Sequence, residues 1–315
     1  MGPDFPKIVV TAQSFSRDAF LRALLEEKFP SSVFNERRTA HTAETLQIAL
    51  VDADAAIVGR DRIDESILSE CNRLQVIAKY GVGLDNIDRK ACSMNNVRVM
   101  WTPGVNRLSV AEQTLGFMLA LRRNLFRSSV HLREGEWWKH GGGQLTATTV
   151  GIIGVGSIGK ELVRLLKPFN CRILVNDIFD QTEYYKEHQL IESDKDQLLT
   201  ESDIVTIHTP LDDSTRHLIN RTTLRTMKNS AVLINTARGG IVNEQALKEA
   251  LANGVIAGAA LDVYEKEPLT DGELYRLPNM ICTPHIGGNS IEAVRAMGAA
   301  AIANLELHFN KGDGE

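Results

Sequence analysis

Apolar residues along this chain gather in short runs separated by stretches in which they recur every three or four positions. From Lys7 to about Leu145, "IVVTA" (8–12), "AAIVG" (55–59), "LQVIAKY" (74–80) and "VRVMW" (97–101) read as buried strands, and Ser16 to Phe29 reads as a helix. Strand alternating with helix is the arrangement of a parallel sheet. In the next stretch, "SVAEQTLGFMLALRRN", Ser109 and Glu112 stand at capping-box spacing. The helix they would open is apolar nearly all round before Arg122 and Arg123, which predicts a buried position between lobes or subunits. A second alternation begins at Thr148 with "TTVGIIG", "CRILVND", "SDIVTIH", "SAVLIN", "GAALDV" and "MICTP", the pattern of a doubly wound sheet. A last helix, about Ser290 to Phe309, has an Ala-rich face and is expected to fold back onto the first lobe. The pattern thus predicts an α/β protein in which one lobe, 103–289, is inserted into another made of 1–102 and 290–315.

A length of 315 residues is comfortable for two lobes. An apolar fraction of 43% with 24% charged residues is that of an ordinary globular protein, which excludes disordered, collagen-like and membrane classes. A net charge of -5 argues against nucleic acid as a partner. Cys71, Cys92, Cys171 and Cys282 lack CxxC or CxxH spacing and read as buried thiols in a reducing compartment, with neither a disulfide framework nor a metal site. The apolar run after Lys7 is too short for a secretory signal, and Pro6 interrupts the myristoylation pattern that Gly2 begins. Cytoplasm, with no membrane partner, is the expected setting.

Chemistry enters with "VGIIGVGSIGKELVRLL". Gly154, Gly156 and Gly159 stand between a strand and a helix. The first permits a tight turn, the second lets backbone approach a pyrophosphate, and the third permits close helix packing, while Ser157 and Ile158 begin a helix whose N-terminus favours an anion. Asp177 ends the next strand about 20 residues on, where a carboxylate accepts hydrogen bonds from a ribose. It would repel a 2'-phosphate, and "IFDQTEYY" offers no compensating base, so NAD rather than NADP is expected. "AVLINTARGGIVNE" then leaves a guanidinium, Arg238, where a buried strand ends. His208 in "TIHTP" and His285 in "CTPHIGG" both end apolar strands, and position alone does not choose between them as an acid–base group.

The series "KYGVGLDNID", "TPGVNRLSVAEQTLGFMLAL", "GIIGVGSIGK", "HTPLDDSTRHLIN", "INTARGGIVNEQAL", "GAALDVYEKEP" and "CTPHIGG" closely resembles the NAD-dependent D-isomer-specific 2-hydroxyacid dehydrogenases, phosphoglycerate dehydrogenases most of all, from about residue 50 to 300. The resemblance implies two Rossmann-like doubly wound domains, an NAD-binding domain inserted in a flavodoxin-like substrate domain. It implies a catalytic set of Arg238, Glu267 and His285. It places His208, Thr209 and Pro210 near the adenosine, Thr236, Ala237, Gly287 and Gly288 beside the cofactor, and Asp262 on the nicotinamide carboxamide. A homodimer is expected from the family and from the apolar helix after Ser109. The residue types suit the chemistry. Oxidation of a secondary alcohol needs a base for the hydroxyl proton and its reverse needs an acid, both within reach of a histidine. A glutamate beside it would orient the imidazole and favour its protonated form. An arginine offers a planar fork to a carboxylate.

The resemblance assigns the substrate carboxylate to backbone amides of Gly81, Val82 and Gly83. Lys79 stands where many phosphoglycerate dehydrogenases have Arg, Tyr80 replaces a small residue, and Arg107 follows Asn106 where a small residue is common. With Arg238 these cations would suit a substrate with a second anionic group, unless Lys79 or Arg107 points to solvent. Trp137 and Trp138 read as core or interface residues. The first candidate substrate of this small-anion enzyme is 3-phosphoglycerate. Glyoxylate or hydroxypyruvate reduction is the neighbouring alternative, and an NAD-sensing co-repressor the alternative of another class. The chain ends soon after its last helix, so regulation through a C-terminal domain is not expected.

Overall fold

The computed structural model describes residues 5–36 and 40–310; Gly2, of the interrupted myristoylation pattern, lies outside them. The chain divides into two compact units, 1–106 with 288–315, and 107–287. The sequence pattern put these seams at 102/103 and 289/290.

The first unit holds five parallel strands: β1 (Ile8–Val10), β2 (Val33–Phe34), β3 (Ala55–Val58), β4 (Val76–Lys79) and β5 (Arg98–Met100), in the order β2-β1-β3-β4-β5. That is the flavodoxin-like order. Every residue of β3 and β4 is buried, as in parallel strands covered on both faces. Ile8 and Val10 point to one core, with Phe15, Leu21, Met297, Ala301 and Leu305; Val9 points to the other, with Leu46, Leu50, Ile67 and Cys92. The helix expected over Ser16 to Phe29 is two, Gln13–Arg17 and Ala19–Lys28. Asp18 breaks it, adopting extended backbone and accepting from the Leu21 amide as a cap. The last helix, Ile291–Phe309, is capped by Ser290 and packs into this unit. It lies so close that a Cβ on Gly298 would stand 2.4 Å from a methyl of Leu21.

The second unit holds seven parallel strands: β6 (Thr149–Ile153), β7 (Arg172–Asn176), β8 (Ile191–Glu192), β9 (Ile204–Ile207), β10 (Val232–Asn235), β11 (Gly258–Leu261) and β12 (Met280–Cys282). Their order is β12-β11-β10-β9-β6-β7-β8. The chain starts in the middle and winds first one way, then the other. The reversal falls between β6 and β9, whose carboxyl ends form the usual binding crevice of such a sheet. The helix preceding it runs Arg107–Arg122 and begins ahead of Ser109, so the expected capping box is absent. Ser109 instead donates its hydroxyl to Gly287 O at 2.6 Å, because a tertiary acceptor lies beside it. Among the described residues no helix is long and apolar enough to cross a membrane.

Candidate active site

At the end of β6 the chain turns at Gly154, whose φ of +91° favours glycine. A Cβ there would stand 2.8 Å from the carbonyl carbon of His208, at the end of β9. A Cβ on Gly159 would stand 2.4 Å from Gly154 O, so the helix Ser157–Leu166 lies directly on the turn. Gly156 caps that helix without a side-chain bond, which leaves its first amides to an anion. Asp177 faces the turn, accepting from Val155 N at 2.6 Å through Oδ2 and from Phe179 N at 3.0 Å through Oδ1. His208 Nδ1 and Thr209 Oγ1 are buried with no hydrogen-bond partner among the described residues. Buried polar groups are normally paired, so two such atoms beside the glycine turn suit the polar atoms of a ligand. Glycine cradle, uncapped helix, acid and orphaned groups together fit NAD.

Arg238 follows β10, every residue of which is buried. Asn235 shapes its turn from both sides, Oδ1 accepting from Ala237 N at 3.0 Å and Nδ2 donating to Arg238 O at 2.8 Å. The half-buried guanidinium donates to Ala237 O at 2.7 Å. Thr236, buried beside Ala237, pairs its hydroxyl with that of Thr114 at 2.9 Å. Gly239 meets the next loop backbone to backbone: a Cβ on it would fall 1.8 Å from Tyr264 O. The loop that carries Glu267 is thereby set against the turn that carries Arg238.

His285 and Glu267 are in contact. Nδ1 lies 2.9 Å from each carboxylate oxygen, and Glu267 Oε1 also accepts from Tyr264 N at 3.2 Å. With the carboxylate ionised, Nδ1 carries the hydrogen of this bond, and Nε2 is the nitrogen left for acid–base exchange. His285 has φ +54°, unusual for a residue with a side chain. Asp262 braces the chain beyond the histidine, accepting from Ile286 N at 2.8 Å, Gly287 N at 2.7 Å and, from before it, Thr283 Oγ1 at 2.6 Å. The expected carboxamide-holding residue is therefore also an anchor of the histidine turn. His208 differs from His285 in kind. It has Thr206 Oγ1 at 3.0 Å from Nε2 and no carboxylate partner among the described residues, and burial pushes it down to about 3. The two histidines thus differ in partner, a hydroxyl for His208 and a carboxylate for His285, a difference that strand position does not show.

In the first unit Gly81 has φ +132°, and Gly81, Val82 and Gly83 are partly exposed at the end of β4. The two side chains before them are placed otherwise than a pair of anion-facing groups. Lys79 is 6% exposed, its ammonium donating to Gly59 O and, at 2.6 Å, to Asn86 Oδ1. Tyr80 is 7% exposed, edge-on to Phe15, its hydroxyl accepting from Ser14 at 3.3 Å. Asn106 lies against Gly288, with its Oδ1 buried and without a hydrogen-bond partner among the described residues. In the second unit Arg107 pairs with Glu161 at 3.2 Å, Pro210 is exposed, and Trp138 stacks on His131, with the Arg127 guanidinium also over its ring. Asn235 and Tyr264 were not singled out from the sequence; a polar residue closing an apolar strand before a turn was the available signal for the first.

A glycine cradle at the switch point of a doubly wound sheet, with an imidazole–carboxylate pair and a guanidinium on neighbouring strand ends, defines a dinucleotide-dependent oxidoreductase. Comparison with known proteins gives the family. The model of the D-isomer specific 2-hydroxyacid dehydrogenase NAD binding domain matches residues 115–287. The hydroxypyruvate reductase of Thermotoga maritima is 35% identical over 89% of this chain and 94% of its own length. The D-3-phosphoglycerate dehydrogenase of Methanocaldococcus jannaschii is 38% identical over 86% of this chain, which spans 52% of that relative. The D-lactate dehydrogenase of Aquifex aeolicus, solved with NAD and lactic acid, superposes with a TM-score of 0.85 at 26% identity, covering 98% of this chain and 96% of that one. The chain belongs to the D-isomer specific 2-hydroxyacid dehydrogenases, NAD-dependent enzymes that act on CH–OH groups.

Proposed function

We propose that the protein interconverts a small D-2-hydroxy acid and its 2-oxo acid, with His285 as acid and base, Glu267 as its orienting carboxylate and Arg238 gripping the carboxylate and carbonyl of the substrate. The observation that carries this is the 2.9 Å contact between His285 Nδ1 and Glu267. It fixes one ring nitrogen and leaves Nε2 to take the hydroxyl proton in oxidation or return it in reduction. The guanidinium fork holds the acid in one plane and stabilises charge growing on the carbonyl oxygen. NAD, when bound, accepts or supplies the hydride. Its holders are Gly154, Gly156, Ser157, Ile158 and Gly159 at the pyrophosphate, Asp177 at the ribose, His208, Thr209 and Pro210 near the adenosine, and Thr236, Ala237, Asp262, Gly287 and Gly288 around the nicotinamide. On the first unit the same reading assigns the amides of Gly81 to Gly83, with Asn106, to a substrate carboxylate.

Glyoxylate or hydroxypyruvate is the first substrate to test. The cations expected to hold a second anion are engaged within their own units, Lys79 on Gly59 and Asn86 and Arg107 on Glu161. The likeness to the Methanocaldococcus jannaschii relative favours 3-phosphoglycerate as the second reading. NADH oxidation with glyoxylate, hydroxypyruvate and phosphohydroxypyruvate separates the two, and a preference for the phosphorylated acid lost in Arg107→Ala would establish the second. For either substrate His285→Asn should lower kcat by about 10²–10⁴; wild-type turnover in that variant would overturn the assignment. The reading includes a homodimer in the cytoplasm, supported by apolar side chains exposed on the helix Leu125–Arg133 and by four free cysteines.

A further inference from the structure

We propose that Tyr264 is a positioning residue for proton transfer: its hydroxyl holds the turn carrying His285 and its amide holds the carboxylate of Glu267, so one residue keeps both halves of the pair in register. Tyr264 lies on the loop after β11 and is 6% exposed. Its hydroxyl is 2.9 Å from Thr283 O and 3.0 Å from Leu261 O, and its amide donates to Glu267 Oε1 at 3.2 Å. Thr283 O also accepts the amide of His285 at 3.0 Å. The hydroxyl therefore bonds to the same carbonyl that closes the histidine turn.

The turn needs such support because His285 sits at φ +54°. A side-chain-bearing residue in that region is strained and stays there only where its surroundings over-determine it. Asp262 secures the residues after His285, through Ile286 N and Gly287 N. Tyr264 secures the carbonyl before it. Tyr264 also bonds to Glu267, so it ties the loop that carries the carboxylate to the turn that carries the histidine. Burial, with the Cys282 thiol and the Asp262 carboxylate nearby, pushes the phenol far above its usual range, so the hydroxyl keeps its proton and remains a donor at every working pH. A phenylalanine would fill the same space and bond to neither carbonyl.

The inference rests on the assignment of His285 and Glu267 as the proton-transfer pair, and its test keeps the two apart. Tyr264→Phe is compared with wild type in steady-state reduction of glyoxylate or hydroxypyruvate, whichever is turned over, and again in a His285→Asn background. Tyr264→Phe should lower kcat about fivefold, the effect of one lost hydrogen bond, with KM for NADH unchanged and a larger solvent deuterium isotope effect on kcat. In the His285→Asn background the same change should have no effect, since the group it positions is gone. NADH fluorescence binding verifies that each variant is folded, and Tyr264→Leu gives a second variant that should move kcat in the same direction. Unchanged kcat in folded Tyr264→Phe, or an equal loss in both backgrounds, overturns the positioning role while the proton-transfer assignment stands. Full turnover in His285→Asn overturns that assignment and the inference with it.

Discussion

Burial takes the His208 imidazole down to about 3 from the ordinary 6.5, because its charged form would lose water without gaining a carboxylate. The unfolded chain binds a proton there that the folded chain refuses. His208 therefore contributes stability that is full above pH 6.5 and is lost toward pH 3 at about 1.4 kcal/mol per pH unit. Glu244 acts with the opposite sign. Burial first, then the negative charges of Glu265, Asp271 and Glu267, raises its carboxyl above 4.5, so the folded state binds the proton more tightly. Its contribution is present below pH 4.5 and lost as pH rises through the raised value. Urea midpoints across this range should show a flatter acid limb in His208→Asn. Glu244→Gln, which keeps an acceptor for the Glu265 amide at 2.5 Å, should raise the midpoint at neutral pH. A lower midpoint in that variant would mean that the charge of Glu244 is satisfied in the fold.

Between elements, Gly239 lies directly against the Tyr264–Glu265 peptide, and it is the place where one methyl group should separate binding from chemistry. The clash in Gly239→Ala is with a carbonyl oxygen at 1.8 Å, backbone that cannot swing aside as a side chain could. Either the Arg238 turn or the Glu267 loop must shift. A displacement of about 1 Å at reacting groups costs on the order of 10² in rate, so kcat should fall to that extent. NADH affinity should persist, since the glycine cradle and Asp177 stand on β6 and β7. An unaltered kcat would show that the loops move independently. The same scale explains what was legible. β6, β9 and β10 announce themselves as apolar runs because strands buried on both faces need no alternation. β2 and β8, two residues each at sheet edges, are too short to carry a period. The break at Asp18 could be read as a cap only once the turn before it was known. Arg238, Glu267 and His285 were legible as motifs; what distinguishes His285 from His208 is a carboxylate on another loop, 18 residues before it. The burial of Lys79 and the roles of Asn235 and Tyr264 depend on backbone atoms of distant or folded segments, which no residue letter records.

For the whole molecule, the helix Leu125–Arg133 raises the question of assembly. Among its residues none is buried. Leu125 is 56% exposed, Phe126 47%, Leu132 58%, and Trp137 just beyond it 79%. Burying such side chains is worth about 1.5–3 kcal/mol each when complete, so leaving several in water along one short stretch forgoes a sizeable stabilisation. A two-fold contact that covers them on both copies recovers it, since the same patch then meets itself. Sedimentation of the intact protein at micromolar concentration should give twice the chain mass. Phe126→Glu combined with Leu132→Glu should give the single mass, because four carboxylates would then face one another across the axis without partners. Both side chains are already solvated in the single chain, so the monomeric variant should keep its fold and its NADH binding. A wild-type protein that sediments as one chain, or a double variant that stays dimeric, would rule out this helix as the dimer contact.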